Sequence, residues 1–445
     1  MDLFDLRPYR IEKIDEIFEY YLRFAKLYFF RRDFSLNEYL SGGLRCSKSD
    51  LIFAAKSLLR PAAAVSLFLL LLLWPDCDWI LSTKAISKIV TTKGYEVLYF
   101  YSLMILCYVE NTRFKVFRSI RDYSLRSAFH VSRLYDDDQF TERNRKRFIK
   151  RFIYFGYASG TIYRLFTIYV VLWSFYVSWK LANLYSQGEI LDLSAIIFSL
   201  ILGALTFSHL INIAGLCFTV FFCFAFTCDL LVCKFDQLKQ KLDQDHKWQL
   251  RLENRFFSLK NFDSYHRKFR QKYSEIFIQT SSYNYDHCTF FLMTEFSSKT
   301  TMIVMVIFYQ QQSEMTLYSV VMIATLFSVF ALITIIYWKI SFFDSYNLEI
   351  FKTISDWSAR IHSGTVEMQP KLLRLWGLKK IPKRYRITKL TLMKSQHFNQ
   401  SIPNTRIGFT CGHLFHISKN RFVELVLMNI GLVSLIYKKL ILGKN

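Results

Sequence analysis

Apolar residues in this chain gather into long runs, separated by stretches rich in Lys and Arg. A hydrocarbon core about 30 Å thick needs about 20 helical residues to cross it. By that measure seven runs read as membrane spans, at 61–80, 95–112, 154–179, 193–231, 288–311, 316–338 and 421–440. The fourth is longer than one crossing and predicts a helix that continues past the bilayer. Segment 113–151 mixes apolar and basic residues at helical spacing, and suits packing on other helices or on an anionic leaflet. Segment 234–283 reads as one long charged helix leading from span four to span five. Its Leu238, Leu242, Trp248, Leu252 and Phe256 recur as a packing stripe. Segment 340–400 adds further helix. The pattern predicts an all-α membrane protein in which spans four to seven extend into a helical anchor bundle outside the bilayer.

Charge sets the expected orientation. Of 58 Lys and Arg, 49 fall in segments 1–60, 111–151, 233–285 and 338–421, and 7 fall in the alternate segments. Basic residues concentrate in cytoplasmic loops, so the expectation is a cytoplasmic N-terminus and an extracellular C-terminus. The net charge of +23 is then topological and does not imply nucleic acid. The expected organisation is a cytoplasmic segment 1–60, and spans one to six over 61–338 with cytoplasmic loops 111–153 and 232–287. Anchor helices and an extended linker follow at 339–420, then a last span with a short tail at 421–445. Residues 1–60 lack a continuous apolar core for a cleavable signal, so the first span is expected to direct insertion. Of nine cysteines only Cys77 lies near the outer face. Cys217, Cys223, Cys228 and Cys233 therefore read as small apolar packing residues.

Chemistry-bearing motifs are sparse. No glycine-rich phosphate loop, HExxH or CxxC pair occurs, so no enzyme activity, cofactor or metal is expected. Cys411, His413 and His416 have ligand-like spacing, but a fourth ligand is lacking, and an extended segment would turn 411 and 413 to one side and 416 to the other. Within the spans, Glu295 and Lys299 are four apart and can pair on one helix face, whereas Arg164 and His209 stand as lone polar residues. Aromatics crowd the outer halves of the spans. Tyr169, Trp173 and Tyr176 in span three, with Phe308 and Tyr309 in span five, are candidates for a small-molecule pocket beside the ordinary interfacial belt.

The last span is unusual. At 100° per residue, Glu424, Leu427, Met428, Gly431, Leu435 and Lys438 form one stripe with Ser434 on its flank, opposite the more apolar Phe422, Val426, Val433 and Leu440. A polar stripe within a membrane needs protein or water against it. One helix cannot enclose water, but several copies around an axis can. The pore-facing candidates are therefore Glu424, Gly431, Ser434, Leu435 and Lys438.

In these features the chain resembles the insect gustatory and odorant receptor superfamily. The tail carries the most specific likeness. That family shows a Leu-rich helix, then P-x-x-F-T-A-x-G-x-F-x-I, then a last span ending T-Y-(five apolar)-Q-F. Here "LTLMKSQHF" is followed by Pro403 and "RIGFTCGHLFHI", while Ile430-Gly431 and Tyr437-Lys438 stand where the family has T-Y and Q-F. The resemblance implies that Phe409, Thr410, Gly412 and Ser418 form the hinge before the last helix, with Gly412 permitting the turn and Ser418 capping the helix. It further implies a gustatory-receptor-like chemoreceptor in the plasma membrane, acting in taste-type sensory transduction. That receptor would be a ligand-gated, non-selective cation channel, a tetramer with helix seven lining the pore, assembled from one or several family members around a small-molecule stimulus. Two other readings stay open: a non-conducting subunit or cell-surface interaction protein of the same fold, and a solute- or proton-coupled transporter built on Glu295, Lys299, Arg164 and His209.

Overall fold

The computed structural model describes residues 16–17, 20–21, 23–24, 48–73, 95–119, 141–188, 193–252, 259–312, 317–375, 389–404 and 407–441. In chain order these form helices α1 (Lys48–Leu73), α2 (Tyr95–Ser119), α3 (Glu142–Ser186), α4 (Leu193–Leu252), α5 (Leu259–Gln311), α6 (Leu317–Ile340), α7 (Phe342–Leu375) and α8 (Lys389–Asn404). A two-stranded hairpin of β1 (Thr410–Cys411) and β2 (Phe415–His416) follows, then α9 (Lys419–Ile441). Among the described residues, five helices are long and apolar enough to cross a membrane: Lys48–Leu73, Glu142–Ser186, Ile196–Asp245, His287–Gln311 and Ser319–Ala359. Helices α2 and α9 cover the other two predicted spans and carry more charge, including Glu110, Arg113 and Lys115 in α2 and Arg421, Glu424 and Lys438 in α9.

Several boundaries differ from the sequence expectation. Helix α1 begins at Lys48 and runs through Pro61, so residues 60 and 61 lie within one helix. Residues 74–80 lie outside the described ones. Helix α3 is continuous from Glu142, with no break where the third span was expected to start. Segment 234–283 is two elements, the end of α4 and the start of α5. Leu238 and Leu242 of its predicted stripe are buried, while the side chains of Trp248, Leu252 and Phe256 lie outside the described ones.

Helix α4 is the spine. Its first two-thirds are apolar all round, which makes a helix a core element, and 72% of its most apolar stretch is buried, against 11% for α3. Its 60 residues span about 90 Å at 1.5 Å each. One face carries Phe222, Phe226 and Leu230 against Phe148 and Phe152 of α3 and against Ile17, Tyr21 and Phe24 of the N-terminal segment. Another carries Phe224, Cys228, Leu231, Phe235, Leu238 and Leu242 into a larger core. That core collects Phe269, Tyr273 and Phe291 of α5, Tyr337 of α6, Phe343 and Trp357 of α7, Ile402 of α8, and Phe409, Cys411 and Ile417 around the hairpin. The outward apolar residues of α3, among them Leu165, Leu172 and Phe175, are exposed. A patch of this size is stable only against another apolar phase, which lipid supplies.

Polar side chains tie the long helices together beyond their apolar stretches. Tyr273 Oη donates to Asn347 Oδ1 at 2.7 Å, and Asn347 Nδ2 donates to the Ile402 carbonyl at 3.2 Å. Lys239 pairs with Glu349, and Arg147 Nη1 lies 3.5 Å from Asp236 Oδ2. Asn399 is buried and donates through Nδ2 to Ser358 Oγ at 2.6 Å.

Candidate functional site

The hairpin at 407–418 fixes where α9 begins. Gly412 adopts φ +56°, a left-handed conformation that favours glycine. The reversal lets Thr410 pair with His416 and Cys411 with Phe415. The same-side placement of 411 and 413 that an extended segment would give does not occur: Cys411 is buried while His413 is exposed, so the turn points the two to different sides. Phe409 is fully buried and meets Phe224, Phe291 and Phe343 edge-on, with ring centroids 5.6, 5.5 and 5.3 Å away. Aromatic pairs favour this geometry because ring edges are positive and faces negative. The Thr410 amide and hydroxyl both donate to Asn284 Oδ1, at 2.6 and 3.2 Å, and the Gly412 amide donates to the Cys288 carbonyl at 2.8 Å. Ser418 Oγ accepts from the Arg421 amide at 3.4 Å, at the first turn of α9.

From that anchored start α9 buries one side and opens the other. Leu425 and Asn429, one turn apart, are buried, and the helix packs on α5 and α6. Glu424, Leu427, Met428, Gly431, Ser434 and Lys438 are exposed, and a Cβ added at Gly431 would meet nothing within 4 Å. Glu424 pairs with Arg421, and Ser434 Oγ donates back to the Ile430 carbonyl at 3.0 Å. The Leu435 side chain lies outside the described ones. The polar stripe is thus a free surface of the single chain.

The outer-half aromatics are distributed over different environments. Trp173 and Tyr176 stack, with centroids 5.2 Å apart and planes at 25°. Tyr169 reaches Thr325 of α6. Phe308 is fully buried with Leu98 and Tyr101 of α2 and Leu326 of α6, whereas Tyr309 is 47% exposed. Tyr101 also shares a hydrogen bond with Thr301 of α5.

Several charged residues within the apolar stretches of the helices have a neighbour of their own. Lys299 Nζ lies 3.2 Å from Glu295 Oε1, beside Tyr337 and Cys411. His209 Nε2 of α4 lies 3.4 Å from Glu110 Oε1 of α2, and both side chains are buried. Arg164 sits 6.0 Å over the Tyr20 ring and lines, with Gly156 and Gly160, a small cleft beside the N-terminal segment. Sequence reading missed Glu110, Asp229, Asn284, Tyr337 and Lys339. Lys339 Nζ lies 3.0 Å from the buried Asp229 Oδ1 and 4.2 Å over the Phe155 ring. Charge inside an apolar helix was the available signal for Glu110 and Asp229.

No protein-family profile and no curated protein sequence matches this chain. Among solved structures, the insect olfactory receptor OR5 from Machilis hrabei, in complex with eugenol, aligns with a TM-score of 0.52 at 8% identity, covering 96% of this chain and 99% of that one. A second structure of the same receptor aligns with a TM-score of 0.48 at 9% identity, covering 88% and 89%. The eugenol complex matches over nearly the whole of both chains. The chain is therefore an all-α membrane protein with the fold of the insect olfactory receptors.

Proposed function

We propose that this chain is a gustatory-receptor-like chemoreceptor subunit. In this reading it is a ligand-gated, non-selective cation channel that works as a tetramer in the plasma membrane, with its N-terminus in the cytoplasm. The observation that carries the proposal is the free polar face of α9, with Glu424, Gly431, Ser434 and Lys438 exposed while Leu425 and Asn429 pack inward. A helix that buries one side in its own chain and leaves a polar side bare in a bilayer needs water there, and symmetry-related copies around an axis provide it. The solved relative in fold was captured with eugenol, which supports a small organic stimulus here too. Trp173, Tyr176 and Tyr169 on α3, with Phe308 and Tyr309 on α5, are the proposed contacts. A ligand there shifts the closed–open balance only by its differential affinity for the two packings.

The test is ionic current across a membrane holding this chain alone, then together with a receptor of the same fold, over a panel of small volatile and soluble stimuli. Stimulus-evoked cation current in either arrangement supports the reading; surface expression with no current in both overturns it in favour of a non-conducting subunit. One observation favours that second reading: Lys438 places a positive charge on the face that would pass cations. The transporter reading has less support, because Glu295, Arg164 and His209 are each matched to a local neighbour.

A further inference from the structure

Where α4 and α5 leave their apolar stretches, they flank a small open groove lined by Lys234, Gln237, Leu238, Lys241, Lys272, Glu275, Ile276 and Gln279. The lining repeats at helical spacing on both sides. Lys234, Leu238 and Lys241 share one face of α4, and Lys272, Ile276 and Gln279 share one face of α5. Leu238 and Ile276 are buried and form an apolar floor.

The register of the two helices decides what the groove wants. At one end, Lys234 Nζ donates to Gln279 Oε1 at 2.8 Å. In an antiparallel pair, stepping seven residues up α4 and seven back along α5 brings Lys241 level with Lys272. Two ammonium groups therefore flank one groove at one level, about 10 Å from the first lysine. Lys239, on a neighbouring face, has Glu349 as its partner. Lys241 and Lys272 have no carboxylate within ion-pair distance among the described residues, and both are exposed. Glu275 is the one carboxylate in the lining, and it accepts from Gln271 at 3.2 Å. Like charges facing each other repel unless an anion lies between them, and an apolar floor strengthens that anion's hold by excluding water beneath it.

We infer that this groove is a binding site for a multivalent phosphate ligand, held by Lys241 and Lys272 at one end and Lys234 at the other. Two sources carry that chemistry: the headgroup of a phosphoinositide in the adjacent leaflet, and a soluble inositol polyphosphate. The inference is independent of whether the chain conducts.

The experiment uses the purified full-length chain in lipid nanodiscs. One arm contains phosphatidylinositol bisphosphate, a second contains phosphatidylserine at equal total charge, and a third contains neutral lipid with inositol hexakisphosphate in solution. Binding and thermal stabilisation are read for the wild type, for the double variant K241E/K272E, and for K146E/K150E, which reverses two exposed cations on α3 outside the groove. The expected result is saturable binding of the bisphosphate lipid over phosphatidylserine, or of the soluble hexakisphosphate. It should weaken by about tenfold for each lost charge-assisted contact in K241E/K272E and persist in K146E/K150E. Preference for the lipid arm assigns a membrane headgroup, and preference for the soluble arm a free polyphosphate. Three results overturn the site: no binding in any arm, equal loss in both variants, or a change of oligomer size in K241E/K272E with phosphate binding intact. The last would make the groove a contact between copies.

Discussion

Asn284 holds the β1 end of the hairpin with a single oxygen. Its Oδ1 accepts from both the amide and the hydroxyl of Thr410, so Asn284→Ala leaves a part-buried N–H without a partner. That loss costs about 1–3 kcal/mol and should appear as a lower melting temperature of the full-length chain in detergent. Gly412→Ala acts differently, because a side chain in the left-handed region is strained by about 1–2 kcal/mol and its Cβ would sit 3.1 Å from Leu292 Cδ2. Cys411 supplies a pH dependence. Burial pushes its thiol pKa up, while the unfolded thiol titrates near ~8.5. The folded chain therefore keeps the proton to higher pH than the unfolded chain does. The resulting stability is fully present below the unfolded value and is lost as pH rises towards the folded one. Wild-type melting should fall more steeply than that of Cys411→Ala between about pH 8 and 10. Parallel slopes would exclude the buried thiol as the source. Of these three residues, Gly412 was legible in the sequence, because a turn needs a residue without a Cβ. Asn284 was not, since its partner lies 126 positions away and nothing local marks it.

At the scale of the element, α4 is held in place by charge as well as by packing. Asp229 is buried against Lys339 of α6. Removing one partner of such a pair is costlier than removing both, because the survivor is left buried and uncompensated. Lys339→Leu should destabilise by about 3–5 kcal/mol, and Asp229→Leu combined with it should recover most of that loss. A double-mutant cycle on melting temperature reads the coupling; additive single effects would mean that the pair contributes nothing specific. The helices themselves were legible because length and apolarity are local properties. The positions of α3, α4, α5 and α6 follow from runs of residues that water rejects. Their ends were less legible. Helix α1 reaches back to Lys48, through charged residues the hydropathy pattern excludes, because a helix once nucleated extends cheaply over polar turns. The turn at Gly412 is expected from the sequence, but the strand pairing around it is not, since two residues per strand give no periodicity. Its depth in the core comes from Phe409 meeting rings from α4, α5 and α7, an encounter that exists only once those helices have assembled.

For the whole molecule, the question is what faces the bare side of α9. In a monomer within lipid, Glu424, Ser434 and Lys438 would each meet hydrocarbon at a cost of about 1–3 kcal/mol or more per polar group. The chain has removed comparable groups elsewhere by pairing them, as Glu110 with His209 and Glu295 with Lys299 show. On the proposed reading, water on a shared axis satisfies the exposed side of α9. In that proposed pore Ser434 would sit where an apolar ring gates by expelling water, and its hydroxyl would lower that barrier. Ser434→Leu should reduce basal current several-fold at unchanged surface expression, because a leucine ring favours the dewetted state. Lys438→Gln should act in the opposite sense, raising cation over anion permeability by removing a fixed positive charge from the conduction path. Both changes sit on an exposed face with no packing neighbour to disturb, so folding is spared and current is the direct readout. If neither substitution alters current while the channel still conducts, the conducting path runs along some other helix, and the bare face of α9 is a contact for another protein.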